Sequence, residues 1–299
     1  MVNGGDSVAR EGRQAPGTLR PGGTATYRLD LAYEGTAYRG WARQPGQPSV
    51  QRVLEEALFT VLRERVTLSV AGRTDAGVHA WGQVASFVCR RHEVQPRRLR
   101  LSLNALLPRD VAVTGVTAMP AGFVAREASA RTYEYRLWVS PVRPVRERAF
   151  VWNLRGFVDE AALAAAARLL SGRRDFAALT PSAGLYHTCV RDVMAAEWRR
   201  VGDTPGDDGG WRHVGDAPGD GEWRFEITAG SFLHNMVRVA VGSMVDVAQG
   251  RMSLDELAAA LESGQRRRMG QTAPARGLAL VKVEYEEAAP LAAPRTRPA

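Results

Sequence analysis

The sequence predicts an α+β protein built from two related halves that meet near residue 130. Segments that alternate like β-strands and segments with helical periodicity recur in both halves of the 299-residue chain. The hydrophobic content of 45% is enough for one large core or two moderate ones. We expect an N-terminal half over residues 25–130, a C-terminal half over 131–288, and flexible tails at 1–24 and 289–299.

The first half opens with a half-buried strand, because apolar and polar residues alternate from residue 27 to residue 33. Its apolar face consists of Tyr27, Leu29, Leu31 and Tyr33. A helix follows Ser49, whose hydroxyl group suits an N-cap. The apolar stripe of this helix faces the core and consists of Val50, Val53, Leu54, Ala57, Leu58, Val61 and Leu62. QVASFVCR, residues 83–90, predicts the next strand.

The second half repeats this mixture of strands and helices. RTYEYRLWV, residues 131–139, predicts a strand that places Tyr133 on the face of the core residues. Helices are predicted from about Asp159 to Leu170, within residues 231–250, and from Ser253, where Glu256 completes a capping box. Further strands are predicted at residues 223–228 and in GLALVKVEY, residues 277–285.

Two similar stretches rich in Gly, Asp and Pro interrupt the second half. VGDTPGDDGGWR covers residues 201–212, and VGDAPGDGEWR covers residues 214–224. This composition is typical of a duplicated surface hairpin or loop that carries no chemistry. We therefore expect an inserted loop over residues 201–222.

The charge of the chain favours a polyanionic partner. The formal net charge is +8, and nucleic acid is the first partner that such a basic chain indicates. Lys282 is the one lysine among 40 basic residues. A GC-rich genome is the first explanation of this arginine bias, although arginine also binds phosphate groups through two hydrogen bonds at once. Arginine clusters at residues 90–100, 143–149 and 266–268 are candidate phosphate contacts.

Cysteine content and hydropathy narrow the class of protein further. Cys89 and Cys189 are too few and too far apart in sequence for a thiolate metal site or a disulfide framework. No apolar run approaches the roughly 20 residues that span a bilayer. We therefore expect a cytoplasmic protein with no structural metal and no membrane partner.

The stretch AGRTDAGVHAWGQ, residues 71–83, supports three interpretations. In the first, Asp75 hydrogen-bonds the backbone of a surface turn whose glycines permit positive φ. In the second, Asp75 is half of an aspartic-protease dyad, although Ala76 replaces the usual hydroxyl residue and no second copy occurs. In the third, Asp75 is a nucleophilic or electrostatic carboxylate that Arg73 or another guanidinium keeps ionised. The spacing alone leaves all three open.

The chain resembles the tRNA pseudouridine synthase A family over about residues 27–286. Six segments carry the resemblance in order: YEGTAYRGWARQP, AGRTDAGVHAWGQV, LNALLPRDVAV, SARTYEYRL, FLHNMVRVAVGSM and GLALVKVEY. It implies a cofactor-free homodimer that converts uridine to pseudouridine in the anticodon stem-loop of tRNA, at positions 38–40. It also implies the pseudouridine synthase fold, with two similar α/β halves, a mixed, mostly antiparallel sheet, and an active cleft between the halves.

The same resemblance implies the site residues. Asp75 is the expected catalytic aspartate, which attacks C1′ or C6 or acts as the base at C2′, and the sequence does not choose among these roles. Tyr133 is expected to pack against the base, and Leu278 to form an apolar wall of the uracil pocket. Arg238 is expected to pair with the aspartate, and Arg73 to help extrude the nucleotide.

Two histidines and one alternative function complete the sequence-based expectations. We interpret His79 and His234 as structural, because a histidine with satisfied hydrogen bonds is the commoner case. Val124 and Ala279 depart from the family pattern, so the RNA contacts near them are expected to differ. The alternative function is that of a catalytically silent RNA-binding protein of the same fold, which would not need Asp75.

Overall fold

The alternation that begins at Tyr27 forms an inner strand of a ten-stranded mixed sheet. The structure is a computed structural model and describes residues 23–90, 94–201 and 221–286. The strands are β1 (Ala25–Tyr33), β2 (Ser69–Val70), β3 (His79–Cys89), β4 (Val111–Met119), β5 (Ala130–Val139), β6 (Trp152–Leu154), β7 (Gly172–Asp175), β8 (Val190–Arg200), β9 (Gly221–Ala229) and β10 (Leu278–Glu284). The helices are α1 (Val50–Leu62), α2 (Pro96–Leu106), α3 (Glu160–Arg168), α4 (Met236–Ala248) and α5 (Leu254–Glu262). The predicted α+β class is confirmed.

The strand order is β4-β1-β3-β10-β5-β9-β8-β7, with β2 added beside β3 and β6 beside β5. Strands β3 and β10 are parallel, as are β5 and β6, and the other described pairs are antiparallel. Strand β10 lies between β3 of the first half and β5 of the second. The two halves therefore share one continuous sheet, and β10 is the seam between them.

The starts of α1, α3 and α5 agree with the predicted helix starts. The Ser49 hydroxyl accepts a hydrogen bond from the Arg52 amide, and the Asp159 carboxylate accepts one from the Ala162 amide. Ser253 and Glu256 form the predicted capping box at the start of α5. Because each cap satisfies backbone donors that have no partner inside the helix, these residues determine where α1, α3 and α5 begin.

One face of the sheet packs against the helices and forms the core. Along β5, the side chains of Tyr133, Tyr135, Leu137 and Val139 are buried on this face. The other face of β5 carries Glu134 and Arg136, and Arg136 forms an ion pair with Glu222 of β9 at 2.7 Å. The alternation in β5 therefore separates an apolar face from a charged one.

Several elements were not predicted from the sequence. Helix α2 begins inside the arginine cluster at residues 90–100, and strands β2, β4, β6, β7 and β8 were also not predicted. Helix α4 begins at Met236, inside the expected range, because Asn235 adopts a left-handed conformation with φ of 61°. The preceding residues 231–235 therefore lie outside the helix, and His234 and Asn235 form a turn before it.

The expected tails and most of the expected insertion lie outside the described residues. Residues 1–22, 202–220 and 287–299 are not described, so the tail and loop assignments stay predictions. Gly221 and Glu222, which the expected insertion included, belong to β9 and pair with β5. No helix in the part of the chain that the structure describes is long and apolar enough to cross a membrane.

Candidate active site

A cleft of about 1020 Å³ opens where the two halves of the sheet meet. One wall is the loop from Gly72 to Asp75, and the opposite wall is the segment 230–237, which leads from β9 into the first residues of α4. Tyr133 of β5 and Leu278 of β10 also line it. Four of the five expected site residues, Arg73, Asp75, Tyr133 and Leu278, thus lie on one cleft.

The loop that carries Asp75 is held from behind by buried polar groups. The Thr74 and Tyr33 hydroxyl groups are hydrogen-bonded at 2.8 Å. The Thr74 carbonyl accepts a hydrogen bond from the Trp41 amide at 3.0 Å. The Gln83 side-chain amide donates to the Gly72 carbonyl at 2.7 Å. These contacts hold the loop on both sides of Arg73.

The close fit of this loop depends on a glycine. Gly40 has φ of +92°, and a Cβ atom added to it would lie 2.6 Å from the Thr74 carbonyl oxygen. Any side chain there would push the Asp75 loop away from the segment that contains residue 40. The glycine in YEGTAYRGWARQP therefore allows the Asp75 loop to pack closely against residue 40.

The carboxylate of Asp75 faces the cleft and does not stabilise the turn. It accepts no hydrogen bond from any described residue, and its side chain is 29% exposed. Its nearest charged or chargeable partner is His234, whose Nε2 lies 3.7 Å from Asp75 Oδ1. The interpretation of Asp75 as a residue that hydrogen-bonds the turn is therefore wrong, because Thr74 and the backbone supply the turn contacts.

His234 is oriented by two contacts from the segment 182–186. Its Nδ1 lies 3.1 Å from the Ser182 hydroxyl, and its backbone amide donates to the Tyr186 hydroxyl at 2.9 Å. The left-handed Asn235 turns the chain so that His234 precedes α4 and points across the cleft. The sequence suggested only a structural histidine, and the left-handed residue that places it on the cleft has no reliable signal in the sequence.

Tyr133 is a neutral phenol on the cleft. Burial raises its pKa above the usual 10, and nearby Tyr33 and Asp75 raise it further. Its ring contacts Phe232 edge to face, with centroids 5.0 Å apart. Its hydroxyl makes no hydrogen bond to any described residue. Tyr133 can therefore donate a hydrogen bond to a ligand, whereas ionisation to a base is unfavourable there.

The structure does not show the expected pairing of Arg238 with Asp75. The Arg238 Nε donates to the Ala273 carbonyl, and its Nη1 donates to the Asn235 side-chain oxygen, each at 2.8 Å. No ion pair links Arg238 to a described carboxylate. Because Arg238 lies in the first turn of α4, its guanidinium instead connects that helix to the segment that leads into β10.

Arg73 and His79 differ in their surroundings. Arg73 is exposed at the cleft and makes no side-chain hydrogen bond or ion pair with any described residue. His79 is 1% exposed, and its Nδ1 accepts a hydrogen bond from the Gly35 amide at 3.1 Å. Burial lowers the pKa of His79, which favours the neutral ring. His79 is thus a buried residue outside the cleft, whereas Arg73 is available to a ligand.

No cluster of three His, Cys, Asp or Glu side chains suited to a metal ion occurs within residues 23–90, 94–201 and 221–286. Cys89 and Cys189 are both buried, and they form no disulfide with each other. The chemistry available from the described residues of the cleft is that of a carboxylate, an imidazole, two phenols and several guanidinium groups.

The fold and the cleft define an α+β protein with one accessible carboxylate between two sheet halves, and comparison with known proteins gives the family. A family model described as tRNA pseudouridine synthase matches residues 31–127 and 166–286. The chain therefore belongs to the tRNA pseudouridine synthase family, whose members are isomerases.

Individual relatives agree with this assignment over most of their length. The chain is 41% identical to tRNA pseudouridine synthase A of Syntrophotalea carbinolica over 260 residues, which are 86% of this chain and 95% of the relative. It is 38% identical to tRNA pseudouridine synthase A of Citrifermentans bemidjiense, over 87% of this chain and 97% of the relative. The protein of the same name from Pelobacter propionicus is also 38% identical, over 87% of this chain and 99% of the relative.

Proposed function

We propose that this chain converts uridine to pseudouridine in the anticodon stem-loop of tRNA, at positions 38–40, with Asp75 as the catalytic carboxylate. The observation that carries this proposal is the state of Asp75. Buried hydrogen bonds hold the loop that carries Asp75, and its carboxylate faces the cleft. No backbone amide of the described residues donates a hydrogen bond to this carboxylate. A carboxylate that made the usual turn contacts would be less available for chemistry.

The reaction explains why a free carboxylate is needed. The bond between C1′ and N1 breaks, the uracil turns, C5 bonds to C1′, and the hydrogen on C5 leaves as a proton. An ionised Asp75 could attack C1′, attack C6, or remove the proton at C2′, and each role needs an unprotonated oxygen that faces the substrate. Because all three roles need this oxygen, one substitution of Asp75 tests all of them.

The other cleft residues suit a flipped nucleotide. Tyr133 offers a ring edge and an unpartnered hydroxyl, and Leu278 offers an apolar surface that is 5% exposed. A uridine within a stem-loop must leave its stack to reach Asp75, which costs a few kcal/mol. Arg73 is free to contact the displaced backbone, because it has no partner among the described residues. We assign it to extrusion of the nucleotide.

The identity of the substrate rests on the relatives and on charge. The relatives are named tRNA pseudouridine synthase A, and the net charge of +8 suits a polyanion. A homodimer in the cytoplasm, with tRNA bound across both subunits, belongs to the same proposal. It follows from the family resemblance and from arginines too dispersed for one small patch.

Replacement of Asp75 with Asn tests the function directly. The volume stays nearly the same and the negative charge is lost, so we expect turnover to vanish while folding and tRNA affinity persist. The assay is tritium release from tRNA labelled at C5 of uridine, because formation of the new carbon–carbon bond expels that hydrogen. Binding and turnover are measured on the same preparation, after deamidation back to aspartate has been excluded.

Asp192→Asn is the matched control, because Asp192 is an exposed carboxylate on β8 outside the cleft lining. It changes the net charge by the same amount and should keep full turnover. Substantial turnover by Asp75→Asn would refute the assignment of the catalytic residue. If the unmodified protein released no tritium from any cellular tRNA, the alternative of a silent RNA-binding protein would replace the proposal.

A further inference from the structure

Arg131 is a buried guanidinium group at the cleft. It lies on β5 two residues before Tyr133, so both side chains are on the same face of the strand. The residue is 7% exposed and lines the cleft together with Tyr133. A fully charged side chain in this position requires an explanation, because burial of an unpaired charge is costly.

The hydrogen bonds of Arg131 all go to backbone carbonyl oxygens. Nε donates to Ala71 at 2.9 Å, and Nη2 donates to the same oxygen at 2.7 Å. Nη2 also donates to Arg126 at 2.7 Å. Nη1 donates to Ala128 and to Gly230, each at 2.5 Å. The three nitrogens of the guanidinium thus make five hydrogen bonds to four carbonyl groups.

These carbonyl groups belong to three segments that are far apart in sequence. Ala71 directly precedes the loop that carries Asp75. Gly230 begins the segment that carries His234. Residues 126–128 connect β4 to β5, the connection between the two halves of the sheet. One planar group therefore holds both walls of the cleft against the connection between the halves.

The charge on Arg131 has no carboxylate partner in the described part of the chain. Burial lowers its pKa, and the phenols of Tyr285 and Tyr133 offset this effect in part. The carbonyl dipoles supply the compensation, since hydrogen bonds to charged groups are stronger than those between neutral groups. A lysine at this position would keep the charge. Its single ammonium nitrogen could not reach all four carbonyl groups that the three guanidinium nitrogens of Arg131 contact.

We propose that Arg131 is a positioning residue for the isomerisation, which sets the spacing of the Asp75 loop and the His234 segment across the cleft. The inference rests on the proposed role of Asp75. A small displacement of a reacting group costs far more in rate than in binding, because only the transition state needs the exact geometry. Arg131 should therefore affect the chemical step more than it affects tRNA affinity.

The experiment uses Arg131→Ala in the full chain, with tritium release and tRNA binding measured together. We expect kcat to fall about a hundredfold while the tRNA dissociation constant changes by less than about threefold. Added guanidinium ion at millimolar concentration should raise the kcat of Arg131→Ala about tenfold, because the ion can occupy the vacated space between the carbonyl groups. Potassium chloride at the same ionic strength should recover none.

Two variants keep the test decisive. Arg131→Lys retains the charge but not the fork, so its kcat should also fall while its circular dichroism stays that of the unmodified protein. This variant decides the question if Arg131→Ala fails to fold. Arg136→Ala is the matched control, since Arg136 lies on the opposite face of β5 in an ion pair with Glu222. The Arg136→Ala variant should be less stable than the original protein and should keep the same turnover.

The outcomes separate this inference from the function on which it rests. Normal turnover by either Arg131 variant, or a loss of kcat in Arg131→Ala that guanidinium does not reverse, overturns the positioning role and leaves Asp75 catalytic. Turnover by Asp75→Asn, or an absence of tritium release by the unmodified protein, removes the proposed function and this inference with it.

Discussion

The gap of 3.7 Å between His234 Nε2 and Asp75 Oδ1 is the one direct approach between ionisable groups of the two cleft walls among the described residues. The ring of His234 is held from behind by Ser182, so it meets Asp75 in a defined orientation. At this distance the two groups are just beyond hydrogen-bond length. A ligand that drew the walls together would bring them into contact.

For this reason we expect His234→Ala to lower kcat about tenfold, equivalent to about 1.4 kcal/mol, with little change in tRNA affinity. The imidazole would no longer orient the carboxylate, whereas the phosphate contacts would remain. Single-turnover tritium release and equilibrium binding measure the two effects. Ser182→Ala should give a smaller loss in the same direction, since it frees the ring without removing it. Equal turnover in His234→Ala and the unmodified protein would contradict this role.

At the scale of single residues, the sequence could indicate the site but not its contacts. The family resemblance predicted Arg73, Asp75, Tyr133 and Leu278 as site residues, and the structure places all four on one cleft. Their roles stay predictions. The position of His234 depends on a left-handed Asn235, and the actual partners of Arg238 depend on the path of residues 271–275. Both are set by tertiary packing, which no local pattern reveals.

At the scale of elements, the structure shows why the secondary structure of some segments could be predicted from the sequence and that of others could not. Strand β1 buries alternate residues, and α1 buries a continuous stripe, so their periods are clear. Helix α2 buries only Leu99 and Leu103, whereas Leu101 and Leu106 are exposed, so its leucines do not form one buried stripe. Strand β8 buries only Val193. Elements that contribute so little to the core leave too weak a pattern to predict.

Helix α4 offers a test of close packing between elements. A Cβ atom on Gly242 would lie 1.8 Å from the Gln271 carbonyl oxygen, in the segment that also receives Arg238. We expect Gly242→Ala to lower the free energy of unfolding by about 3 kcal/mol, because overpacking against backbone outweighs the better helix propensity of alanine. Urea denaturation measures this loss.

Gly184 provides the control for that substitution. An added Cβ there has no heavy atom within 4 Å, so Gly184→Ala should leave the unfolding midpoint unchanged or slightly raised. If both alanine variants were equally stable, α4 would not pack against residue 271 as closely as the structure shows.

At the scale of the whole molecule, the tyrosines make stability depend on pH in the alkaline range. Burial raises the pKa of Tyr33 to about 12 and that of Tyr285 to about 12, from the ordinary value of 10.0. In the unfolded chain these phenols ionise near pH 10, whereas in the folded protein they stay neutral until about pH 12. Their contribution to stability is therefore complete below pH 10 and is lost as the pH rises toward 12.

We expect the thermal midpoint to hold steady up to about pH 9 and to fall steeply between about pH 10 and pH 12. Tyr33 alone, shifted by about two pKa units, would account for roughly 3 kcal/mol of this loss. Thermal unfolding at several pH values measures the fall, and Tyr33→Phe should make it shallower. A midpoint that stayed constant through pH 11 would show that the phenols are not buried as the structure describes.

The position of β10 in the sheet has a consequence for the order in which a ribosome releases the chain. Strands β3 and β5 emerge early, yet the strand that joins them is made more than a hundred residues later. Nascent domains fold as their segments emerge, and pairing between such distant segments is slow. Until residue 284 has left the ribosome, the cleft lacks Leu278, and β10 does not yet connect β3 to β5. A nascent chain thus carries Asp75 long before the site around that carboxylate can close, so modification of RNA must await the synthesis of β10.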